Sequence, residues 1–302
     1  MINDTDLRYA TDKIKEEYGE EIAEKVGHGG GVKRFTTLRA NGLKTTADKV
    51  AAELSAAGIA FEPISWYQDA FLLKESDEKV ICSLPLYENG EIYLQSLSSM
   101  LPPVILQPQA GQTVLDMAAA PGGKTTQMAA MTNGRAQITA CEVHPARAEK
   151  LRFNLQKQGA GRVSVLTQDA RNMSDFFSFD RILLDAPCSG SGTICLHDPF
   201  SKAAYNDKLL AKITSTQLTL LKKALTLLKK GQSMVYSTCS LFREENERVV
   251  QAAVKGGGFE IMPIDKTPFN DVTFLPSTLD GVLTVCPDER YEGFFIAKIY
   301  KK

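Results

Sequence analysis

The sequence has few of the residues that build metal sites and disulfide frameworks. It holds three histidines and six cysteines, and no two cysteines form a Cys-x-x-Cys pair. Zinc sites and disulfide-rich domains need clustered ligands or paired cysteines. We therefore expect neither a metal site nor a disulfide framework. By default each cysteine is expected to be a small core residue, unless its neighbours indicate otherwise.

Long apolar runs and a strong net charge are also missing. No run approaches the roughly 20 apolar residues that a membrane-spanning helix needs. The N-terminus has neither the basic nor the apolar part of a secretory signal. A net charge of −1 does not by itself indicate nucleic-acid binding. These observations predict a cytoplasmic protein with no membrane partner.

The first 90 residues are predicted to form an N-terminal helix and a small α/β domain. Asp6 to Val26 has helical spacing and many charges, and the glycine-rich stretch 27–31 is typical of a linker. A predicted strand follows at Phe35–Leu38. A helix from Thr45 comes next, and then two more strands, the second of which ends at Leu73. Five basic residues lie in the first part of this domain. They are equally compatible with a solvated basic surface and with an RNA-binding surface. These bases are Lys33, Arg34, Arg39, Lys44 and Lys49.

Residues 91–302 are predicted to form the larger domain. A helix over Tyr93–Leu101 leads into two prolines, and strands and helices then alternate, which indicates a parallel sheet. The predicted strands begin near residues 113, 136, 162, 179, 233, 260 and 294, and a long helix spans Asp207–Lys230.

The stretch from Asp116 to Thr126 organises the larger domain. A short apolar strand ends at Asp116, and small residues follow until a helix begins near Lys124. Such a turn lets a ligand approach the backbone and the amides of the helix N-terminus. Gly123-Lys124-Thr125 resembles a phosphate-binding P-loop, but Ala118 stands where that motif needs glycine, and Pro121 has no amide donor. The stretch therefore favours S-adenosylmethionine over a nucleotide triphosphate.

Four successive predicted strands end in an acidic residue. Ligands bind at the carboxyl ends of the strands in an open parallel sheet. The spacing places Glu142 where such folds hold ribose hydroxyls, and Asp169 where a carboxylate accepts from the adenine amino group. A single acid at such a position is often only a helix N-cap, but four in register favour a binding site. The four are Asp116, Glu142, Asp169 and Asp185.

Two cysteines lie just past predicted strands rather than inside them. Cys188 is in the Pro/Gly-rich loop after Asp185, and Cys239 follows the next strand in Ser237-Thr238-Cys239-Ser240. Neighbouring strands can bring both loops to one cleft. The positions indicate a functional pair of thiols, whereas the other four cysteines have no such context.

Three motifs resemble the NOL/NOP/Sun family of RNA cytosine carbon-5 methyltransferases. They are the segments 116–124, Asp185-Ala186-Pro187-Cys188-Ser189-Gly190 and Ser237-Thr238-Cys239-Ser240. The similarity extends from about Phe35 through Glu244-Glu245-Asn246-Glu247 to Gly293-Phe294-Phe295. The resemblance implies a Rossmann-like, seven-stranded methyltransferase fold. It also implies a small RNA-recognition-like N-terminal α/β domain.

The resemblance also implies the roles of the site residues. Cys239 is the expected nucleophile toward carbon 6 of cytosine, and Cys188 assists breakdown of the adduct. Asp185 and Lys124 are expected to hold the base, and Asp185 to contact the cofactor as well. The cofactor S-adenosylmethionine is expected at Ala118, Ala119, Ala120, Pro121, Gly122, Gly123, Lys124, Glu142, Arg147, Asp169 and Asp185.

The expected substrate is RNA whose target base can leave its stack to meet both thiols. The sequence leaves transfer RNA and ribosomal RNA equally open. It also leaves two alternatives for function, a catalytically quiet RNA-binding or ribosome-assembly factor and a P-loop nucleotide hydrolase. Both alternatives leave the two cysteines without a use.

Overall fold

The computed structural model describes residues 4–197 and 205–302. Its helices are α1 (Asp4–Tyr18), α2 (Glu20–Gly31), α3 (Ala47–Ala56), α4 (Glu78–Cys82), α5 (Pro85–Glu88), α6 (Leu97–Leu106), α7 (Gly123–Met131), α8 (Pro145–Lys157), α9 (Asp207–Leu227) and α10 (Glu247–Val254). Its strands are β1 (Thr36–Ala40), β2 (Glu62–Pro63), β3 (Ala70–Leu73), β4 (Ile92–Leu94), β5 (Thr113–Asp116), β6 (Gln137–Cys141), β7 (Ser164–Leu166), β8 (Phe179–Asp185), β9 (Leu228–Thr238), β10 (Phe259–Met262), β11 (Leu283–Val285) and β12 (Phe294–Lys301).

The chain divides into two compact units. The continuous unit is Phe35–Leu183, and the split unit combines Met1–Arg34 with Leu184–Lys302. Residues 1–3, with which the predicted N-terminal domain begins, lie outside the described part of the chain. The predicted domain boundary near residue 90 stays a prediction.

The continuous unit begins with a small antiparallel sheet in the order β2-β3-β1-β4. Leu38 of β1 lies opposite Phe71 of β3. Helix α3 covers the sheet because its apolar positions recur at helical spacing, and Val50 and Leu54 are fully buried in the same core. The predicted α/β character of this region is confirmed.

The rest of the continuous unit contains parallel strands in the order β8-β5-β6-β7. Leu115 of β5 lies opposite Ile182 of β8 and Thr139 of β6. The central strands β5 and β8 have consecutive buried apolar residues, at positions 114–115 and 182–184, which is why this pattern was visible in the sequence. The parallel arrangement places the ends of β5, β6 and β7 at one edge, where the loops that follow them lie.

The segment before β5 differs from the predicted helix over Tyr93–Leu101. Residues 92–94 form strand β4, and α6 continues through both prolines. Pro103 has no amide hydrogen to donate to the Ser99 carbonyl. Gln95 Nε2 donates to that carbonyl instead, at 3.1 Å. A side chain thus replaces the lost helical hydrogen bond.

The split unit contains antiparallel strands in the order β10-β12-β9, with β11 beside β12. Ala297 of β12 lies opposite Tyr236 of β9, and both are fully buried. The helix predicted to reach Lys230 ends at Leu227, because the next residues already belong to β9. Among residues 4–197 and 205–302, no helix combines the length and the apolar character needed to cross a membrane.

The N-terminal region contains two helices where the sequence predicted one followed by a linker. Gly19 has a φ of 89°, so the chain turns there between α1 and α2. The glycine-rich stretch 27–31 is the last part of α2. A Cβ on Gly29 would overlap the carbonyl of Pro287. Gly29 therefore permits close packing against the Pro287 backbone.

Candidate active site

The loop after β5 turns tightly into α7 in the continuous unit. Gly122 has a φ of 109°, and a Cβ there would come within 2.9 Å of Leu151 Cδ1. The amide of Ala119 donates to the carbonyl of Cys141 at the end of β6, at 2.8 Å. Glycine and alanine are needed here because the backbone approaches its neighbours closely. The predicted tight turn is present, and its role in binding a ligand stays a prediction.

Three side chains of the continuous unit fix the carbonyl oxygens of this loop. Arg147 Nη2 donates to Ala120 at 2.9 Å, Asn154 Nδ2 to Pro121 at 2.8 Å, and Arg39 Nη2 to Gly123 at 3.0 Å. The sequence singled out Arg147 as a cofactor residue, and the structure places it against the loop. Arg39 and Asn154 carried no local signal, because each comes from an element distant in the sequence.

The acids that end β5 and follow β6 are buried and hydrogen-bonded. Asp116 Oδ2 accepts from Thr125 Oγ1 at 2.7 Å. Glu142 is 3% exposed, and its Oε1 accepts from the amide of His144 at 2.9 Å. Its Oε2 lies 3.4 Å from Arg147 Nη1. A carboxylate offers about four acceptor sites, so Glu142 keeps acceptor capacity for a ligand hydroxyl.

Asp169 is engaged by a neighbour two residues along the chain. Arg171 Nε lies 3.0 Å from both carboxylate oxygens, and its Nη2 lies 2.6 Å from Oδ2. The hydrogen bonds with Arg171 lower the pKa of Asp169. The Asp169 carboxylate also accepts from the Arg171 amide, which is an N-cap geometry. Asp169 therefore acts as a helix N-cap, and its contact with a ligand stays a prediction.

Lys124 lies in the first turn of α7. Its Nζ donates to Ser99 Oγ at 2.8 Å, and the side chain is part-buried. Ser99 belongs to α6, so the lysine links the start of α7 to the helix that precedes β5. This contact fixes the direction of the ammonium group.

The two cysteines predicted to be functional come together in the split unit. The Sγ atoms of Cys188 and Cys239 are 3.0 Å apart. The amide of Ala186 donates to the carbonyl of Ser237 at 2.8 Å, and Ser237 Oγ donates to Asp185 Oδ1 at 2.8 Å. These bonds hold the ends of β8 and β9 side by side. The structure brings the two predicted thiols together, and their function stays a prediction.

Cys188 has an unusual acid–base environment. The hydrogen bond with Cys239 and the burial of the thiol raise its pKa well above the ordinary value, and the charges of Glu245 and Asp185 add to the effect. A thiol in this setting stays protonated at neutral pH. Cys188 is therefore suited to donate a hydrogen bond to the Cys239 sulfur.

The fold resembles that of Rossmann-like methyltransferases. A methyltransferase homologue from Pyrococcus horikoshii is 34% identical, with a TM-score of 0.81, and the match covers 96% of this chain and 94% of that one. NSun6 from Pyrococcus horikoshii with SFG has a TM-score of 0.83 at 22% identity, over 96% of this chain and 97% of that one, which shows the fold alone. The predicted α/β methyltransferase fold is confirmed.

The family is shown by two further matches. A family model described as 16S rRNA methyltransferase RsmB/F matches residues 103–300, and one described as an RsmF/B-like ferredoxin-like domain matches residues 8–78. The chain belongs to the RsmB/F methyltransferase family, which confirms the resemblance found in the motifs. Ribosomal RNA small subunit methyltransferase F of Shewanella loihica is 38% identical over 279 residues, 88% of this chain. The match covers 56% of that relative, so the chain spans about half its length.

Proposed function

We propose that this chain transfers a methyl group from S-adenosylmethionine to carbon 5 of a cytosine in RNA. The observation that carries the proposal is the 3.0 Å separation of the Cys188 and Cys239 sulfurs at the ends of two neighbouring strands. Carbon 5 of cytosine is a weak nucleophile until a thiolate adds to carbon 6. One thiol must therefore attack, and a second can assist when the adduct breaks down.

Cys239 is the proposed nucleophile. Its thiolate adds to carbon 6, and the electron pair of the 5,6 double bond moves into the ring, so that carbon 5 becomes enamine-like. Carbon 5 would take the methyl group of S-adenosylmethionine, which would leave as S-adenosylhomocysteine. A solvent base then takes the proton of carbon 5, the electron pair of that C–H bond restores the 5,6 double bond, and the carbon–sulfur bond breaks with its electron pair returning to the Cys239 sulfur. Cys188 keeps its proton because its pKa is raised. Its S–H then stabilises the negative charge that grows on the departing sulfur of Cys239.

Asp185 is proposed to hold the pyrimidine edge. Its Oδ1 accepts from Ser237 Oγ, which fixes the orientation of the carboxylate. A carboxylate accepts hydrogen bonds and so suits the amino group or a protonated ring nitrogen. Holding either group favours electron flow into the ring during thiol addition. Lys124 is proposed as a second contact to the base, and Asp185 as an additional contact to the cofactor.

The loop Ala118–Lys124 with Glu142, Arg147 and Asp169 is proposed to bind S-adenosylmethionine. The fit rests on chemistry seen in the continuous unit: a turn at Gly122 with a positive φ, and a buried Glu142 carboxylate with remaining acceptor capacity. Ribose hydroxyls and an adenine amino group are donors that such carboxylates accept. When bound, the cofactor supplies an electrophilic methyl group. Arg147 orients the loop through the Ala120 carbonyl.

Small-subunit ribosomal RNA is the proposed substrate. The matching family model and the Shewanella loihica relative both carry that substrate in their descriptions. A cytosine must leave its stack to meet a thiol at carbon 6. The target is therefore a looped, single-stranded or flipped nucleotide.

Bisulfite mapping of total RNA from cells with and without the gene tests the reaction and the substrate together. We expect one cytosine of small-subunit ribosomal RNA to lose its mark. Loss of a methylated cytosine in transfer RNA instead would mean that transfer RNA, and not ribosomal RNA, is the substrate. No lost mark would favour an RNA-binding factor without turnover.

Trapping of a covalent RNA adduct tests the thiol roles. Cys188→Ala is expected to accumulate an adduct that withstands denaturing electrophoresis, and replacing Cys239 as well is expected to abolish it. Cys195→Ala is the matched control, because Cys195 is a buried cysteine of the same unit outside the pair. An adduct trapped by Cys239→Ala instead would mean that the two roles are reversed.

A further inference from the structure

Glu245 connects the two loops that carry the cysteines. It is fully buried, and it lies just before α10. Ser189, which follows Cys188, donates to it from its amide at 2.8 Å and from its hydroxyl at 2.5 Å. Ser240, which follows Cys239, donates from its hydroxyl at 2.5 Å. One carboxylate thus accepts from the residue next to each cysteine.

We propose that Glu245 is the positioning residue that sets the distance between the two thiols. The inference rests on the proposed function, because the separation of the sulfurs matters where one thiol attacks and the other assists. Glu245 itself acts through Ser189 and Ser240.

The carboxylate of Glu245 is saturated by donors. Its Oε1 accepts from the Ser189 amide and from Gln217 Nε2 at 3.1 Å, and its Oε2 accepts from the two serine hydroxyls. These four donors match the roughly four acceptor sites of a carboxylate. A buried carboxylate is stable only when its hydrogen bonds are made. Neutralising it would leave donors without acceptors and allow both loops to shift.

Backbone contacts make the loops sensitive to such a shift. The amide of Gly192, in the Cys188 loop, donates to the carbonyl of Cys239 at 3.0 Å. A Cβ on Gly192 would overlap the carbonyl of Gly293. Ser191 Oγ lies 3.0 Å from Ser240 Oγ. The Cys188 loop is thus packed against the chain on both sides, and a displaced Ser189 or Ser240 moves the adjoining cysteine.

The backbone carbonyl of Glu245 is fixed as well. Tyr236 of β9 donates to it from its hydroxyl at 2.6 Å. Gln217 of α9 contacts both the Glu245 carboxylate and the Pro187 carbonyl, at 3.1 and 3.0 Å. The position of Glu245 is therefore set by a strand and a helix rather than by the loops that it holds.

Thiol cross-linking measures the sulfur separation without RNA or cofactor. The oxidant diamide takes two electrons and two protons from the thiols of Cys188 and Cys239, which leaves a disulfide and reduces diamide to its hydrazine. The linked peptides are quantified by mass spectrometry against time. We expect Glu245→Gln to form the bond about fivefold more slowly than the unmodified chain. Methyl transfer is measured in parallel, and kcat should fall about tenfold with an unchanged KM for RNA.

Glu244→Gln is the matched control. Glu244 is the adjacent residue, but it makes ion pairs with the part-buried Lys13 and the exposed Arg248, and its own side chain is 30% exposed. Its cross-linking rate and kcat are expected to stay at the level of the unmodified chain. Ser189→Ala and Ser240→Ala each remove one hydroxyl donor and should slow cross-linking by a smaller factor.

The outcomes are distinct. A cross-linking rate of Glu245→Gln equal to or higher than that of Glu244→Gln overturns the inference, even if Glu245→Gln has a lower melting temperature. If Glu245→Gln does not fold, Ser189→Ala and Ser240→Ala provide the test. Unchanged cross-linking rates in both variants overturn the inference. Slower cross-linking in a chain that shows no methyl transfer before mutation would retain the positioning role and refute the proposed function.

Discussion

Arg39 Nη2 donates a hydrogen bond of 2.6 Å to Thr126 Oγ1 in α7. The guanidinium is fully buried, and its Nε donates to Gln95 Oε1 at 2.9 Å. Burial lowers the pKa of Arg39. The same Nη2 reaches the carbonyl of Gly123, so a strand of the small sheet fixes the loop proposed to bind the cofactor.

Arg39→Lys is expected to weaken both stability and cofactor binding. The lysine cannot make the forked set of hydrogen bonds, so buried acceptors lose their donors, at a cost of about 2 to 4 kcal/mol in the free energy of unfolding. Urea denaturation measures this loss, and calorimetry should show a weaker affinity for S-adenosylmethionine. Arg152→Lys, on the exposed face of α8, is the control and should change stability by less than about 0.5 kcal/mol. Unchanged affinity in Arg39→Lys would contradict the proposed link.

Thr125→Val tests the support of Asp116. The substitution keeps the shape of the side chain but removes the hydroxyl that donates to Asp116 Oδ2. A buried carboxylate that loses a hydrogen bond should cost about 1 to 3 kcal/mol. Thr219→Val, whose exposed hydroxyl bonds to the Ser215 carbonyl within α9, should be nearly neutral in the same denaturation experiment. Equal losses in the two variants would rule out a special role for the Thr125 hydroxyl.

Gly29→Ala and Gly27→Ala form a matched pair in α2. A Cβ on Gly29 would overlap the Pro287 carbonyl, whereas a Cβ on Gly27 has nothing within 4 Å. We expect Gly29→Ala to lower stability by about 2 kcal/mol or more, because backbone must move. Gly27→Ala should raise stability by up to about 1 kcal/mol, because alanine favours the helix. Thermal unfolding of both variants measures the difference. Similar changes in melting temperature would mean that residues 27–31 are a linker.

The buried thiol of Cys141 is expected to make the folded protein less stable at alkaline pH. Burial, together with the charge of Asp116, raises the pKa of its thiol to about 12. The unfolded chain releases this proton near pH 8.5. The contribution of the Cys141 thiol to the free energy of unfolding is therefore fully present below that pH, and it is lost as the pH rises toward the pKa of the thiol in the folded chain. The slope is at most about 1.4 kcal/mol per pH unit. Between about pH 9 and about pH 10.5, the loss should be smaller in Cys141→Ala than in Cys82→Ala, a variant at a partly exposed cysteine. Equal slopes would refute the assignment.

Local sequence patterns predicted much of the fold because the elements concerned are locally encoded. The strands β5, β6 and β8 each contain buried apolar residues, and the turn after Asp116 needs small residues whatever the rest of the chain does. The thiol pair was also visible, because Cys188 and Cys239 follow strands in loop-forming sequence. Most of strand β4 was included in the predicted helix Tyr93–Leu101, because the strand has only three residues and α6 follows it closely. Strand β11, also of three residues, was missed.

The sequence by itself determined the family, the order of the main strands along the chain and the types of residue in the site. Only the tertiary structure decided which distant residues hold the site in place. Arg39 was counted among the bases of a possible RNA-binding surface, yet it is fully buried against the turn into α7. Glu245 was one acid in a charged run, yet it accepts hydrogen bonds from both cysteine loops. The reason is physical: periodicity and turn chemistry act over a few residues, whereas buried polar groups find their partners by packing, irrespective of separation along the chain.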